Sequence, residues 1–303
     1  MKWDVISWCG QMKRKVIRVT LTIAGQKEVF TVQGNNQLTS TGLRVLFNCM
    51  YGGGAVMPTA QIKIYGLPLD KMMKLFRVRW QTLEALMNRV RIDAGEEGET
   101  LYKVFEGNIT FAYPEMESAP DVALAIDSQA AIFEHLRPVS PTQFEGENDV
   151  ADMIKTLCDE MGYQFENNGV SKIIDTRYLP DTALAKIQAL ATHADIDLYI
   201  EQDLIAIAPK GVPRKLKIPI ISPSTGLIGY PTPDLRGVSF KCLYNPAIRF
   251  GGVVSIQDSE IAICNADWRA YGVWLSLEAN VPNGNWSCEV NATYLDTHDA
   301  VKK

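Results

Sequence analysis

Histidine is scarce in this sequence, with three in 303 residues. None has a partner at ligand or catalytic spacing. His135 follows Glu134 without the second histidine of H-E-x-x-H, His193 falls at a helix end where it favours the dipole, and His298 lies in a polar tail. No G-x-S-x-G, G-x-G-x-x-G or Walker sequence occurs. The glycines at 52–54 lack the Lys-Ser/Thr of a phosphate loop, and Glu96, Glu97 and Glu99 lack calcium-loop spacing. Both segments read as hairpin tips. The six cysteines contain no C-x-x-C pair and read as reduced core thiols. Positive charge is not concentrated either. A net charge of −5 argues against a dedicated nucleic-acid binder, and the one basic run, Lys13-Arg14-Lys15, reads as the solvated edge of a strand. No apolar run approaches the ~20 residues of a membrane span, and the N-terminus lacks a signal-peptide pattern. These absences predict a soluble, cytoplasmically made protein with no membrane anchor, no cofactor and no metal site, and they weigh against its being an enzyme.

What is present is period-two alternation. Across residues 16–23, Ile17, Val19, Leu21 and Ile23 share one face, and residues 24–27 turn the chain into a return strand. Strands follow at 43–50 and 60–65, a short helix after Leu67-Pro68, then strands at 88–94, 102–113 and 122–127. The composition changes at the proline-bracketed stretch 137–141. Beyond it, helical spacing at 148–161 stops at Gly162, and a hairpin-like segment at 163–174 turns at Asn167-Asn168-Gly169. A second helix at 181–194 has Asp181 as its cap, and a second hairpin turns at 201–203. After a Pro/Lys-rich linker at 209–223 the chain is β again, at 237–243, 250–257, 271–280 and 286–293, with a turn at Pro282-Asn283-Gly284-Asn285.

Four stretches carry a resemblance: MPTAQIKIYGL at 57–67, VFEGNI at 104–109, ISPSTGLIGYP at 221–231 and LYNPAIRFGG at 243–252. They resemble the baseplate hub proteins of contractile-tailed phages, the group that includes the Mu-like hub and the N-terminal hub module of type VI secretion spikes. The resemblance implies a mostly β, α+β fold: two tail-tube-like β-barrels with an inserted small α/β region. The expected division is residues 1–120 for the first barrel, 121–145 with 212–303 for the second, and 146–211 for the insert. It also implies a homotrimeric ring in the virion baseplate that joins the tail tube protein to the central spike protein. Other baseplate proteins surround it, and DNA passes through the lumen without specific binding. Six barrels in a trimer match a six-fold tube above and a three-fold spike below. Asn245, Pro246 and Arg249 are chosen as a shaped loop contacting a neighbour; the alternative is a plain buried turn. No fused lysozyme or peptidase segment is recognised. The rival functions are a cell-wall (peptidoglycan) hydrolase whose carboxylates meet only in the fold, and a glycan-binding module.

Overall fold

The computed structural model describes residues 13–295 except 24–25, 30–41, 53–55, 77–86 and 118. Alternation drives the first group of strands. These are β1 (Lys15–Ile23), β2 (Gln26–Val29), β3 (Val45–Tyr51), β4 (Thr59–Tyr65), β5 (Arg89–Glu96), β6 (Tyr102–Glu115) and β7 (Ala123–Gln129), with helix α1 (Leu69–Leu75) after β4. They pair antiparallel in the order β3-β4-β7-β6-β5-β1-β2. The sheet curls strongly, because β3 and β6 are separated by two strands along it yet touch across the core. The Phe47 and Phe105 rings lie 6.3 Å apart, and the Tyr51 hydroxyl donates to the Val104 carbonyl. At the rim, Lys15 pairs with Glu96 and Lys13 with Glu99. The basic run and the acidic hairpin tip, read separately as solvated features, are therefore partners. Strand β7 also corrects an expectation. Residues 121–145 were assigned to the second barrel, but β7 hydrogen-bonds to β4 and β6 and so belongs to the first group.

The middle of the chain forms its own small core. It comprises α2 (Ile132–Leu136), β8 (Thr142–Phe144), β9 (Asn148–Asp149), α3 (Val150–Met161), β10 (Gln164–Asn167), β11 (Ile173–Ile174), β12 (Arg177–Leu179), α4 (Ala183–His193), β13 (Ile196–Glu201) and β14 (Leu204–Pro209). Helix α3 is capped by the Asp149 carboxylate, which accepts from Ala151 N at 2.8 Å, and it ends at left-handed Gly162. Its stripe of Val150, Met153, Ile154, Leu157 and Cys158 packs with Leu184, Ile187 and Leu190 of α4. The cap of α4 is Thr182, not Asp181, and Thr182 makes no side-chain cap bond. The expected hairpin at 163–174 does not form. Strand β10 pairs in parallel with β14, while β11 crosses to β9. Asn168 decides this: its backbone N–H and its side-chain amide both donate to Ile207 O, which holds the chain on β14.

The last group is β15 (Ile220–Ile221), β16 (Leu227–Asp234), β17 (Gly237–Leu243), β18 (Val253–Ile256), β19 (Asp267–Ala279) and β20 (Trp286–Tyr294). Its order is β16-β17-β20-β19, with β15 and β18 attached to the start of β19. Strand β19 is 13 residues long, well beyond the usual ~5–6. A bulge between Ala270 and Gly272 divides it. Before the bulge it pairs with β18; after it, residues 273–279 pair with β3. The two strand groups are thereby one continuous sheet of 13 strands. Among the described residues the hydrogen-bonded path is open, with β2 and β16 at its ends. Pro231 and Pro233 lie in β16 and remove donors from that edge, which guards it against strand addition.

Candidate functional site: the joint between the insert and the sheet

The loop expected to matter, 244–252, follows β17 and is a pair of tight turns. The Asn245 side chain accepts from Ala247 N at 2.9 Å, and Ile248 N donates to Asn245 O at 3.0 Å. Asn-Pro thus opens a turn stabilised by its own side chain. Pro246 and Arg249 are exposed, whereas Ile248 and Phe250 point into the core. Gly251 adopts φ +79°, and a side chain there would run into the ring of Tyr199, so glycine is required by both backbone and space. Tyr199 in turn meets Phe250 edge to face at 5.1 Å.

Around this loop four charges from four separate segments meet. Arg249 forks onto the Glu201 carboxylate at the end of β13. Arg214, from the segment read as a linker, is fully buried. It donates to Glu201 at 2.9 Å, to both oxygens of Glu166 on β10 at 2.9 Å, and to Phe250 O at 2.9 Å. Asn168 completes the shell, donating to Glu166 at 2.8 Å and accepting from Lys215 N at 2.8 Å. Two arginines and two glutamates cancel. Burial disfavours the Glu166 carboxylate, but hydrogen bonds from Arg214 and Asn168 outweigh it and hold its pKa below the usual value. That is opposite to the raised value a catalytic general acid needs. Burial likewise opposes the Arg214 charge, and the two carboxylates more than compensate, raising its pKa.

Alongside, Gln202 donates to Val104 O at 2.8 Å and to the Tyr51 hydroxyl at 3.3 Å, while Lys103 pairs with Asp203 at 2.6 Å. Further along the same hairpin, Arg269 on β19 pairs with Asp197 at 2.8 Å. The turn between β13 and β14 is therefore clamped onto both strand groups, leaving a cavity of about 40 Å³ beneath Pro246 and Arg249. The chemistry available is rigid positioning.

Sequence reasoning chose Asn245, Pro246 and Arg249, and these do lie together at the joint. It missed Glu166, Glu201, Gln202 and Arg214, which come from three separate segments of the chain and obey no motif spacing. A second concave feature lies over the seam where β3 meets β19. It is a trough of about 510 Å³ whose walls include Asn48, Gln61, Asp127, Gln129, Trp274 and Glu289. Of the histidines, His135 lies in α2, and His193 ends α4 beside the Arg177 guanidinium. His298 and Cys9 lie outside the described residues.

Comparison with solved structures finds this fold in phage tail proteins. The 43 kDa tail protein of prophage MuSo2 from Shewanella oneidensis is 9% identical, with a TM-score of 0.61 over 93% of this chain and 98% of that one. The tail protein of Neisseria meningitidis MC58 is 10% identical, with a TM-score of 0.57 over 92% and 96%. The E. coli c3393 protein is a type VI secretion component with structural similarity to the T4 tail proteins gp27 and gp5. It is 11% identical, with a TM-score of 0.56 over 85% and 76%. At such identity the likeness concerns the fold. Among curated proteins none matches the sequence. The family described as baseplate hub gp41, however, matches residues 16–269. Since that match covers well over half of the chain, the chain belongs to the baseplate hub gp41 family and is a structural component of a phage tail baseplate.

Proposed function

We propose that this hub joins the tail tube protein to the central spike protein as a closed homotrimer, with other baseplate proteins around it. The observation that carries the reading is the continuous sheet. Two strand groups that share one apolar core are welded through β3 and β19, which fits a subunit presenting two units in fixed relation. Each group is a tail-tube-like barrel. The first comprises the strands up to β7, the second the strands from β15 to β20, and the insert spans residues 146–211. Three subunits then offer six barrels, matching six-fold and three-fold neighbours. The protein is made in the host cytoplasm, is built into the baseplate of the virion, and acts without a catalytic residue. The exposed Pro246 and the outer side of Arg249 contact a neighbouring subunit, with Asn245 holding the turn that presents them.

The test is the particle mass. Three copies of a 33.7 kDa chain give about 100 kDa by light scattering, the closed symmetry expected of homo-oligomers. A particle that stays monomeric at every concentration, and also within the assembled tail, overturns the ring.

The face of the sheet turned away from the core becomes the wall of the lumen through which DNA passes. Its charges are mixed: Asp127, Glu115 and Glu289 against Lys63 and Lys241, with Lys63–Glu115 and Lys241–Glu289 already paired at 2.8 and 3.3 Å. Affinity for phosphate needs unpaired basic groups, so duplex DNA is expected to elute from immobilised hub even at low salt. Tight, salt-sensitive retention would replace the conduit with a DNA-handling role.

A further inference from the structure

Cys242 on β17 and Cys288 on β20 stand directly opposite each other, with their sulfurs 3.2 Å apart. Both are buried free thiols. Tyr244 N donates to Trp286 O, which marks that opposed pair as hydrogen-bonded. Antiparallel pairs alternate, so the cysteines, two residues further along each strand, form a pair of the same kind. Such a pair holds its Cα atoms about 5.5 Å apart, a separation common among disulfides.

We propose that Cys242 and Cys288 form an oxidation site, which a small-molecule disulfide such as oxidised glutathione converts to a disulfide stapling β17 to β20. One thiolate attacks the reagent, forming a mixed disulfide and releasing one thiol. The second thiolate attacks the protein sulfur of that mixed disulfide and releases the other thiol. The protons of the two cysteines go to the departing sulfurs; the pair is oxidised by two electrons and the reagent is reduced to two thiols. Disulfides persist in oxidising surroundings and on virions, not in the cytoplasm. Only the timing of the reaction, after release from the cell, rests on the baseplate reading.

Selectivity follows from the row of side chains across the sheet. Leu275 on β19 faces Cys288 on one side and Cys49 on β3 on the other. Cys49 is thus two strand spacings from Cys288, roughly 9–10 Å, too far to bridge. Cys158 belongs to the separate core of the insert, and the Cys264 sulfur faces Pro231 O. The neighbouring sulfur and burial push the Cys242 pKa up, so the thiol is inert while the sheet is closed. Reaction requires β17 to open, and β17 is covered on one side only by the edge strand β16.

The test uses the full chain, reduced and then held with oxidised glutathione in mild urea. Remaining thiols are alkylated, and the unreduced protein is digested with trypsin for mass spectrometry. The expected product joins the peptide of residues 242–249 to that of 270–302 with loss of two hydrogens, while the other four cysteines are alkylated. Oxidation is also expected to raise the thermal midpoint by several degrees, a rise absent from Cys242→Ala and Cys288→Ala. Alkylation of both cysteines after treatment overturns the proposal, as does a spread of links among all six. Because the readout is a covalent link within one chain, it is independent of the particle mass that tests the ring.

Discussion

Replacing Arg214 with alanine is expected to lower stability by about 3–5 kcal/mol, since it leaves two glutamates without their buried partner. The Glu201 side chain is only 5% exposed and keeps a single arginine, Arg249, which approaches from the rim. Glu166 loses both charge-assisted bonds, and Phe250 O loses its donor. Arg249→Ala is the comparison. Its side chain is 44% exposed, and its loss is expected to cost about 1 kcal/mol or less. Urea unfolding reads both, as a shift in midpoint at unchanged slope. Equal effects from the two arginines would show that the cluster is not anchored on Arg214. Combining Arg214→Met with Glu201→Leu and Glu166→Gln is expected to recover most of the loss, because no buried charge then remains unpaired.

The same cluster sets an acid limit. The folded-state pKa of Glu166 lies below the unfolded value of about 4.3. Its contribution is therefore complete above that value and disappears as the pH falls through the folded pKa. Asp197 and Asp203 behave alike: burial disfavours each carboxylate, and bonds from Gly211 and Arg269, or from Lys103, outweigh it. All three tie the insert to the sheet or to its flanking segment. Acid is thus expected to loosen the joint before either strand group, and Arg214→Ala to flatten the acid side of the stability curve.

Much of the strand pattern was legible because alternation is a local signal. Ile17, Val19 and Leu21 declare a face whatever β1 pairs with, and the Gly162 stop follows from one residue's freedom at positive φ. Pairing partners were not legible. Strand β7 is apolar and buried along its first four residues, but nothing in them says that β4 and β6 flank it. Strand β19 was expected to begin at Tyr271 and instead begins at Asp267, because the stretch before the bulge is held by β18. Asn167-Asn168-Gly169 looked like a hairpin turn, yet Asn168 is used to hold β14. The site divided in the same way. The Asn245-Pro246 turn is local and was found, whereas the Arg214 cluster is assembled from bonded pairs up to 48 residues apart, and a buried arginine in a Pro/Lys-rich stretch looks like any solvated one.

Phe47→Ala tests whether the seam between the strand groups transmits energy. Phe47 is fully buried on β3, packs against Phe105, and stands opposite Leu277 of β19 in the register that welds the two groups. Truncating a core phenylalanine costs about 3–5 kcal/mol through lost burial and the cavity left behind. If the sheet is one cooperative unit, this loss is shared by the second group, although the lesion lies in the first. Three of the six tryptophans, Trp268, Trp274 and Trp286, lie in β19 and β20; with Trp3, Trp8 and Trp80 replaced by phenylalanine, their fluorescence reports on the second group. Far-ultraviolet circular dichroism reports on all strands. In Phe47→Ala both signals are expected to shift to the same lower urea midpoint, the behaviour of a two-state transition. A fluorescence midpoint left at the wild-type position while the dichroism transition splits would mean that the groups unfold separately. The seven paired residues of β3 and β19 would then join two independent strand groups without coupling them, and the fixed relation on which the proposed six-to-three matching depends would be lost.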